Sequence, residues 1–394
     1  MSIPPDALPK QILSVRAAFL EEGEDLRAVG GCVRDILLGE APKDFDFCTT
    51  ADPYKQIAIY VKHGIRHIAT GLKHGTVTIV VEGETFEITS LRTESEHDGR
   101  HATVAYTRDW TEDASRRDLT INAMSLEFDG TLHDPFGGRE DLQRGRVRFV
   151  GDPAERMRED YLRILRFLRF HARFAVGRPL DTDAEEAILR VGRGLKDISA
   201  ERIWSEVSRT IRLPGGPWAI EHMLRLKITP FIGMFSGSWR EMQEVQQATS
   251  NPVTLMVAYL LDEGRTEKQA TNWKWSTAER DLGLFLARRQ HDRRSDYHRL
   301  IAEEGFSRAW VFELACLHRA WKQAAELDTW EAPVFPLRGQ DLIDAGMKPG
   351  PAVGHLLDVL KSQWADEGFR PTKADLLNDP LVALALRPKV TETV

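Results

Sequence analysis

The sequence predicts an α/β head built on a mixed sheet, followed by a long all-α remainder. Three observations carry that reading. Strand-like alternation punctuated by glycine turns is confined to the chain before about residue 150. From about Pro153 onward, apolar residues recur instead at spacings of three and four, as Met157, Tyr161, Ile164, Leu165 and Leu168 do. At 394 residues the chain is also too long for one ordinary core, so two or more packed units are expected.

Taken in order, Ala28-Val29 closes a short strand, Gly30-Gly31 turns the chain, and Cys32 to Leu38 starts a helix. Alternation follows in Asp44-Phe45-Asp46-Phe47, in Thr76 to Val81 and in Thr85 to Leu91, the last two joined by a hairpin turn at Glu82-Gly83-Glu84. The segment from Arg92 to Thr107, with Asp98-Gly99-Arg100-His101 at its centre, is polar and interrupted by glycine, and reads as mobile rather than as strand. The helical pattern after Pro153 breaks at Leu213-Pro214-Gly215-Gly216-Pro217 and again around Pro333 to Pro336. The expected organisation is a head over residues 1–150, a helical neck over 151–212, a helical body over 213–335 and a helical tail over 336–394.

Composition removes several function classes. Apolar and charged fractions of 42% and 29% are those of a soluble globular protein. No run of eighteen apolar residues occurs, so no membrane partner is expected. Met1 to Leu20 lacks the long apolar stretch of a secretory signal. Three cysteines, Cys32, Cys48 and Cys316, have no CxxC spacing, which argues against a disulfide framework or structural zinc and for a reducing, cytoplasmic compartment. The formal net charge of −7 does not point to nucleic acid, but ten arginines stand against six acidic residues between Arg139 and Arg173. That excess reads either as a phosphate-binding surface or as a helix face laced with salt bridges.

The sharpest local signal is Gly30-Gly31-Cys32-Val33-Arg34-Asp35 with Asp44-Phe45-Asp46 ten residues further on. In a strand, residues two apart project to one face, so Asp44 and Asp46 share a side while Phe45 and Phe47 turn to the core. Two adjacent carboxylates repel unless a cation lies between them, and hard oxygen ligands suit Mg²⁺. Such a pair is what two-metal phosphoryl or nucleotidyl transfer requires. Gly30-Gly31 ahead of a helix lets the backbone approach phosphate, with Arg34 in reach from the first turn; a plain strand-turn-helix is the alternative for the glycines alone. Glu87, between inward-facing Phe86 and Ile88, is either a third carboxylate near the metals or a solvent-facing residue on an exposed sheet face.

These residues, with four further motifs in order, resemble class II tRNA nucleotidyltransferases and the related bacterial poly(A) polymerases. The others are Arg116-Arg117-Asp118 running on to Asn122; Asp134 with Gly137-Gly138 and Asp141-Leu142; Glu159-Asp160-x-x-Arg163 continuing to Arg166 and Arg169; and Ser199-x-Glu201-Arg202. The resemblance covers roughly residues 25 to 210 and implies a head of the nucleotidyltransferase type. It implies Asp44 and Asp46 as catalytic Mg²⁺ ligands; Glu87, from strand alternation and not from the resemblance, is taken as a further catalytic carboxylate. The resemblance also implies Gly31 and Arg34 as phosphate contacts, Arg117 and Asp118 as the ribose-recognising pair, and Asp134 with Gly137-Gly138 as a flexible connector.

Asp160 and Arg163, three apart on an expected helix, share a face. A carboxylate accepts from an exocyclic amine and a guanidinium donates to ring nitrogen and carbonyl, so the pair suits cytosine and adenine over uracil and guanine. An ordinary salt bridge between the two is the alternative. Arg166 and Arg169 extend the stripe toward nucleotide, while Ser199, Glu201 and Arg202 buttress the helix. The expected function is template-independent addition and repair of the 3′-terminal CCA of tRNA by two-metal nucleotidyl transfer from CTP and ATP, releasing pyrophosphate. Poly(A) synthesis, or addition of C or A only, is the alternative, and the Arg92–Thr107 segment favours complete CCA. The expected partners are tRNA, gripped at acceptor arm and elbow by the tail, and CTP and ATP; no obligate protein partner is expected. In the tail, Lys348 within Gly346-Met347-Lys348-Pro349-Gly350-Pro351 is either a backbone grip on RNA or part of a structural turn.

Overall fold

In the computed structural model, which describes residues 3, 6–69, 71–97, 102–292 and 296–386, the alternating segments pair into one seven-stranded sheet. Its strands are β1 (Leu26–Val29), β2 (Asp46–Thr49), β3 (Arg66–Ile68), β4 (Thr76–Val81), β5 (Glu84–Ser90), β8 (Ser125–Leu126) and β9 (Leu132–His133), in the order β3-β4-β5-β2-β1-β8-β9. The β2–β5 pair is parallel and the others antiparallel, so the sheet is mixed, as the sequence predicts. Between β4 and β5 the hairpin closes over Glu82 and Gly83, both at positive φ, which a two-residue turn with the right twist requires. The register sets Phe47 between Ala28 and Ile88, all three buried, with the Phe86 ring edge-on to Phe47 at 6.1 Å.

The reading of Arg92–Thr107 as a mobile segment is corrected. Its flanks form a two-stranded ribbon, β6 (Arg92–His97) with β7 (Ala102–Tyr106), paired from Arg92↔Tyr106. Thr93, Thr103, Val104 and Tyr106 favour extended backbone, a preference obscured by the polar centre of the segment. The proposed centre at 98–101 lies outside the described residues.

Helices α1 (Leu13–Glu21), α2 (Gly31–Leu38), α3 (Pro53–Lys62), α4 (Trp110–Ser115) and α5 (Gly138–Gln143) accompany the strands. Then come α6 (Pro153–Glu159), α7 (Leu162–Phe174), α8 (Thr182–Val191), α9 (Ala200–Ile211) and α10 (Gly216–Arg225). Asp152 starts α6 by accepting from Glu155 N, with Pro153 at the first helical position where its missing N–H costs nothing. On α7, Ile164, Leu165, Phe167, Leu168 and Ala172 are buried, leaving the arginines to the other side. The break before α10 has a packing reason: a Cβ on Gly216 would stand 2.7 Å from the Ile211 backbone, and one on Gly215 2.5 Å from the Ala172 carbonyl oxygen.

The chain divides into two compact units, one running to Trp239 and including Thr271–Lys274, the other holding Arg240–Ala270 and the chain from Trp275. The second is helical throughout its described residues. Its helix over Pro252–Leu260 is buried at every position, and a separate cluster gathers Leu337, Leu342, Leu360 and Trp364. Among the described residues no helix is long and apolar enough to cross a membrane.

Candidate active site

Strand β1 ends on Val29, and Gly30 turns the chain at φ 73°, ψ −123°, a conformation that favours glycine. A Cβ there would also press within 2.9 Å of Arg117 Nη1. Helix α2 starts at once on Gly31, which places its first amides and Arg34 at the end of β1. Asp44 lies in the bend just before β2 and Asp46 is that strand's first residue, so the strand is shorter than the alternation suggests. The shared face is nonetheless kept: Asp46 is exposed, Phe47 is buried, and Phe45 stacks on Phe47 with centroids 6.5 Å apart.

Both aspartates open onto a cleft of about 880 Å³ that Gly31, Arg34, Arg117, Asp118, Asp160, Arg163, Arg166 and Arg169 also line. Ten of the eleven expected site residues therefore meet in one space. Glu87 is the exception. It stands in register beside Asp46 on the parallel neighbour β5 and is exposed, but it is not among the cleft-lining residues. Among the described residues no group of three or more His, Cys, Asp or Glu is gathered for a metal. The pair itself fits a hard divalent cation. Burial raises the Asp46 carboxyl, Arg117 opposes that rise, and the like charge of Asp44 adds to it. A cation between the two would relieve the repulsion.

The arginine-rich wall of the cleft is held by a chain of bonds. Arg34 is buried, donates from Nη1 to Asn122 Oδ1 at 2.6 Å and pairs with Asp35. Its guanidinium also lies over the Phe170 and Phe174 rings. Asn122 Nδ2 in turn donates to Asp118 Oδ1 at 3.3 Å, while Arg166 Nε donates to Asp118 Oδ2 at 2.7 Å. Burial works to raise the Asp118 carboxyl, but Arg166 and Asn122 outweigh it and hold the group below the usual range. Arg169 donates to Glu206 on α9 at 2.7 Å. Asp134 accepts from the Gly138 and Arg139 amides, so this connector is a bonded turn, and a Cβ on Gly138 would strike the Thr120 carbonyl oxygen at 2.2 Å.

Asp160 and Arg163 require a correction. They do not lie on one helix: α6 ends at Glu159, Asp160 is extended at φ −154°, ψ 106°, and α7 begins at Leu162. Asp160 Oδ1 accepts from Leu162 N at 3.0 Å, the local bond by which an aspartate competes with continuous helix. The expected alternative of a salt bridge between the two is not what forms. Asp160 Oδ2 accepts from Arg202 Nη2 at 2.7 Å, and Arg163 pairs with Glu159. Both still face the cleft.

Residues 26–148 match the family described as the Poly A polymerase head domain. Over 384 residues the sequence is 38% identical to human CCA tRNA nucleotidyltransferase 1, mitochondrial, covering 93% of this chain and 88% of that protein. The chain belongs to the CCA-adding tRNA nucleotidyltransferase family. A CCA-adding enzyme of Anoxybacillus flavithermus is 30% identical over 371 residues, 89% of this chain and 91% of that one. Among solved structures, the Bacillus stearothermophilus CCA-adding enzyme in complex with CTP aligns with a TM-score of 0.73 at 26% identity, covering 93% of this chain and 94% of its own.

For a tRNA nucleotidyltransferase of this family, sequence reasoning names Asn122 and Arg202 but does not reach the link that Asn122 makes, the cleft-lining positions of Arg202 and Arg209, or Asp113, which is itself not a lining residue. Asn122 joins Arg34 to Asp118, and its place in Arg-Arg-Asp-Leu-Thr-Ile-Asn was the available signal. Arg202 lines the cleft as well as bracing Asp160, and Arg209, two helical turns on, lines it too. Their spacing of seven on α9 puts both on one helix face. Asp113, which organises Arg116 and Arg117, carries no motif of its own.

Proposed function

We propose that this chain builds and repairs the CCA end of tRNA, taking CTP twice and ATP once and releasing pyrophosphate each time. The observation that supports this most is the single arginine-lined cleft onto which the Asp44/Asp46 pair and the Asp160/Arg163 pair both open, in a chain alike to CCA-adding enzymes along nearly its whole length. The tRNA 3′-oxygen attacks the α-phosphorus; the new O–P bond forms as the bond to the pyrophosphate oxygen breaks, and the hydroxyl proton leaves to solvent. Gly31 and Arg34 cradle the triphosphate, and Asp118, held ionised by Arg166, accepts from the ribose 2′-hydroxyl. Asp160 and Arg163 read the base edge, Asp160 accepting from the amine that cytosine and adenine share. Positioning and charge neutralisation account for most of the rate in such transfers.

Asp44 and Asp46 hold the divalent cation, and Mg²⁺ suits their oxygen donors. When bound, it neutralises the triphosphate and lowers the barrier to forming the attacking alkoxide. Three buried free cysteines suit a reducing, cytoplasmic compartment. The test is direct: tRNA transcripts ending before CCA are incubated with CTP, ATP and Mg²⁺, and the products are sequenced. CCA ends support the reading; a run of adenylates, or products ending in CC with ATP present, would overturn it.

A further inference from the structure

Asp113 lies on α4, is 2% exposed, and takes hydrogen bonds from three sources at once. Its Oδ1 accepts from Arg116 Nε at 3.0 Å, from Arg116 Nη2 at 2.6 Å and from the Arg92 backbone amide at 3.2 Å. Its Oδ2 accepts from Arg117 Nη2 at 3.2 Å. A buried carboxylate is costly unless such donors surround it, and removing its charge strands the arginines around it.

The three partners all line the cleft but come from two elements of the head, the root of the ribbon and the end of α4. Arg92 is the first residue of β6, the root of the ribbon, and its peptide is held on both sides: the N–H by Asp113, the carbonyl by Arg116 Nε at 3.0 Å. Arg117 belongs to the nucleotide cleft. Its Nη1 donates to the Asn122 carbonyl at 3.3 Å, and it crowds the space beside Gly30. Its charge opposes the rise of the Asp46 carboxyl. One carboxylate thus joins the ribbon root to an arginine facing the carboxylate pair.

We propose that Asp113 is a positioning residue that sets Arg117 in the nucleotide cleft and makes its placement depend on the ribbon root. This rests on the reading that Arg117 contacts nucleotide. Without the Asp113 carboxylate, Arg117 keeps its charge and its bonds to the Asn122 carbonyl and Cys48 Sγ but loses the charged acceptor of Nη2. Its guanidinium is then less firmly aimed, and the loss falls on nucleotide binding rather than on the transfer step.

The test is a double-mutant cycle in the full-length enzyme, with KM for CTP and kcat measured on a tRNA lacking CCA and folding checked by circular dichroism. Asp113→Asn keeps the size and removes the charge; KM rises roughly tenfold, the scale of one lost charge-assisted bond, while kcat changes by less than about threefold. Arg117→Ala raises KM at least as much, and the double variant is no worse than Arg117→Ala alone, because Asp113 acts through Arg117. If Arg117→Ala leaves KM unchanged, the nucleotide reading of Arg117 fails and the proposal fails with it. If Arg117→Ala raises KM but folded Asp113→Asn does not, or if the two effects multiply, the positioning role alone is overturned. Should Asp113→Asn not fold, Asp113→Glu carries the same test: the longer carboxylate keeps its charge but displaces the guanidinium, so KM rises, and a wild-type KM would overturn the proposal.

Discussion

Asp44 and Asp46 are two carboxylates on one face of the cleft, and Arg117 opposes the rise that burial and Asp44 impose on Asp46. Replacing either by Asn swaps an oxygen ligand for an amide and removes half the charge available to a divalent cation. Transfer should fall by at least about a thousandfold, with tRNA binding and the thermal midpoint near wild type; near-normal turnover in Mg²⁺ from either variant rules out the metal role. In the proposed reading, base choice is carried by different residues. Asp160 holds its cleft position through Leu162 N and Arg202, and Arg163 through Glu159, so each reader is supported independently of the other. Asp160→Ala and Arg163→Ala should therefore each erode the preference for CTP and ATP over UTP and GTP, and by different amounts. Wild-type selectivity in both variants, measured by single-nucleotide incorporation, would reduce the pair to scaffolding.

At the scale of elements, the strands β1, β4 and β5 and helix α2 were readable because local signals agree there: alternation, a turn of two residues with positive φ, and a glycine at a helix start. Where signals conflict, reading failed. The break at Asp160 is hidden inside a helical apolar pattern, because a side-chain bond to Leu162 N, and not a proline or glycine, interrupts the helix. The ribbon β6–β7 is hidden by polarity, and Asp113 because its arginines three and four residues on read as an ordinary helix-surface pairing while its bond to the Arg92 amide is distant in sequence. Helix α7 carries one more such residue. His171 is stacked on Trp218 at 4.4 Å, near parallel, with Nε2 donating to the Pro179 carbonyl at 3.1 Å. Burial pushes its imidazole down to about 4, and His222 on the other side of Trp218 adds to the fall. The unfolded chain takes that proton first, so stability drops as pH falls through 6.5 and continues to drop until the folded value is reached. By pH 5 the loss is about 2 kcal/mol relative to pH 7. His171→Phe keeps an aromatic ring beside Trp218 but cannot titrate. Urea unfolding at pH 7 and pH 5 should show the wild type losing more stability than the variant by about that amount; equal losses would mean that His171 is not the titrating group.

Across the whole molecule, charge is arranged by place and not by total. The chain carries a formal −7, yet nine arginines and four aspartates line the candidate cleft. Most of these arginines are held by a carboxylate just outside or within the wall, as Arg169 is by Glu206 and Arg166 by Asp118, which fixes their direction without removing the positive field between them. In a chain of net negative charge, that concentration of arginines makes the cleft a place where polyanions are drawn in. Arg209 is the most exposed of the cleft arginines with a recorded ion pair, 64% accessible at the side chain and only loosely paired, at 3.8 Å from Glu206. That exposure suits it to contact RNA phosphate under the proposed function. Counterion release then makes a specific demand: the logarithm of tRNA affinity falls linearly with the logarithm of salt concentration, and each phosphate contact contributes about one to the slope. Arg209→Ala should weaken tRNA binding similarly for transcripts of different sequence, lower the slope by about one, and leave KM for CTP within about twofold. Fluorescence titrations of labelled tRNA between roughly 50 and 200 mM KCl measure this. A slope identical to wild type would remove Arg209 from the RNA path, and a large rise in KM for CTP would move it to the nucleotide instead.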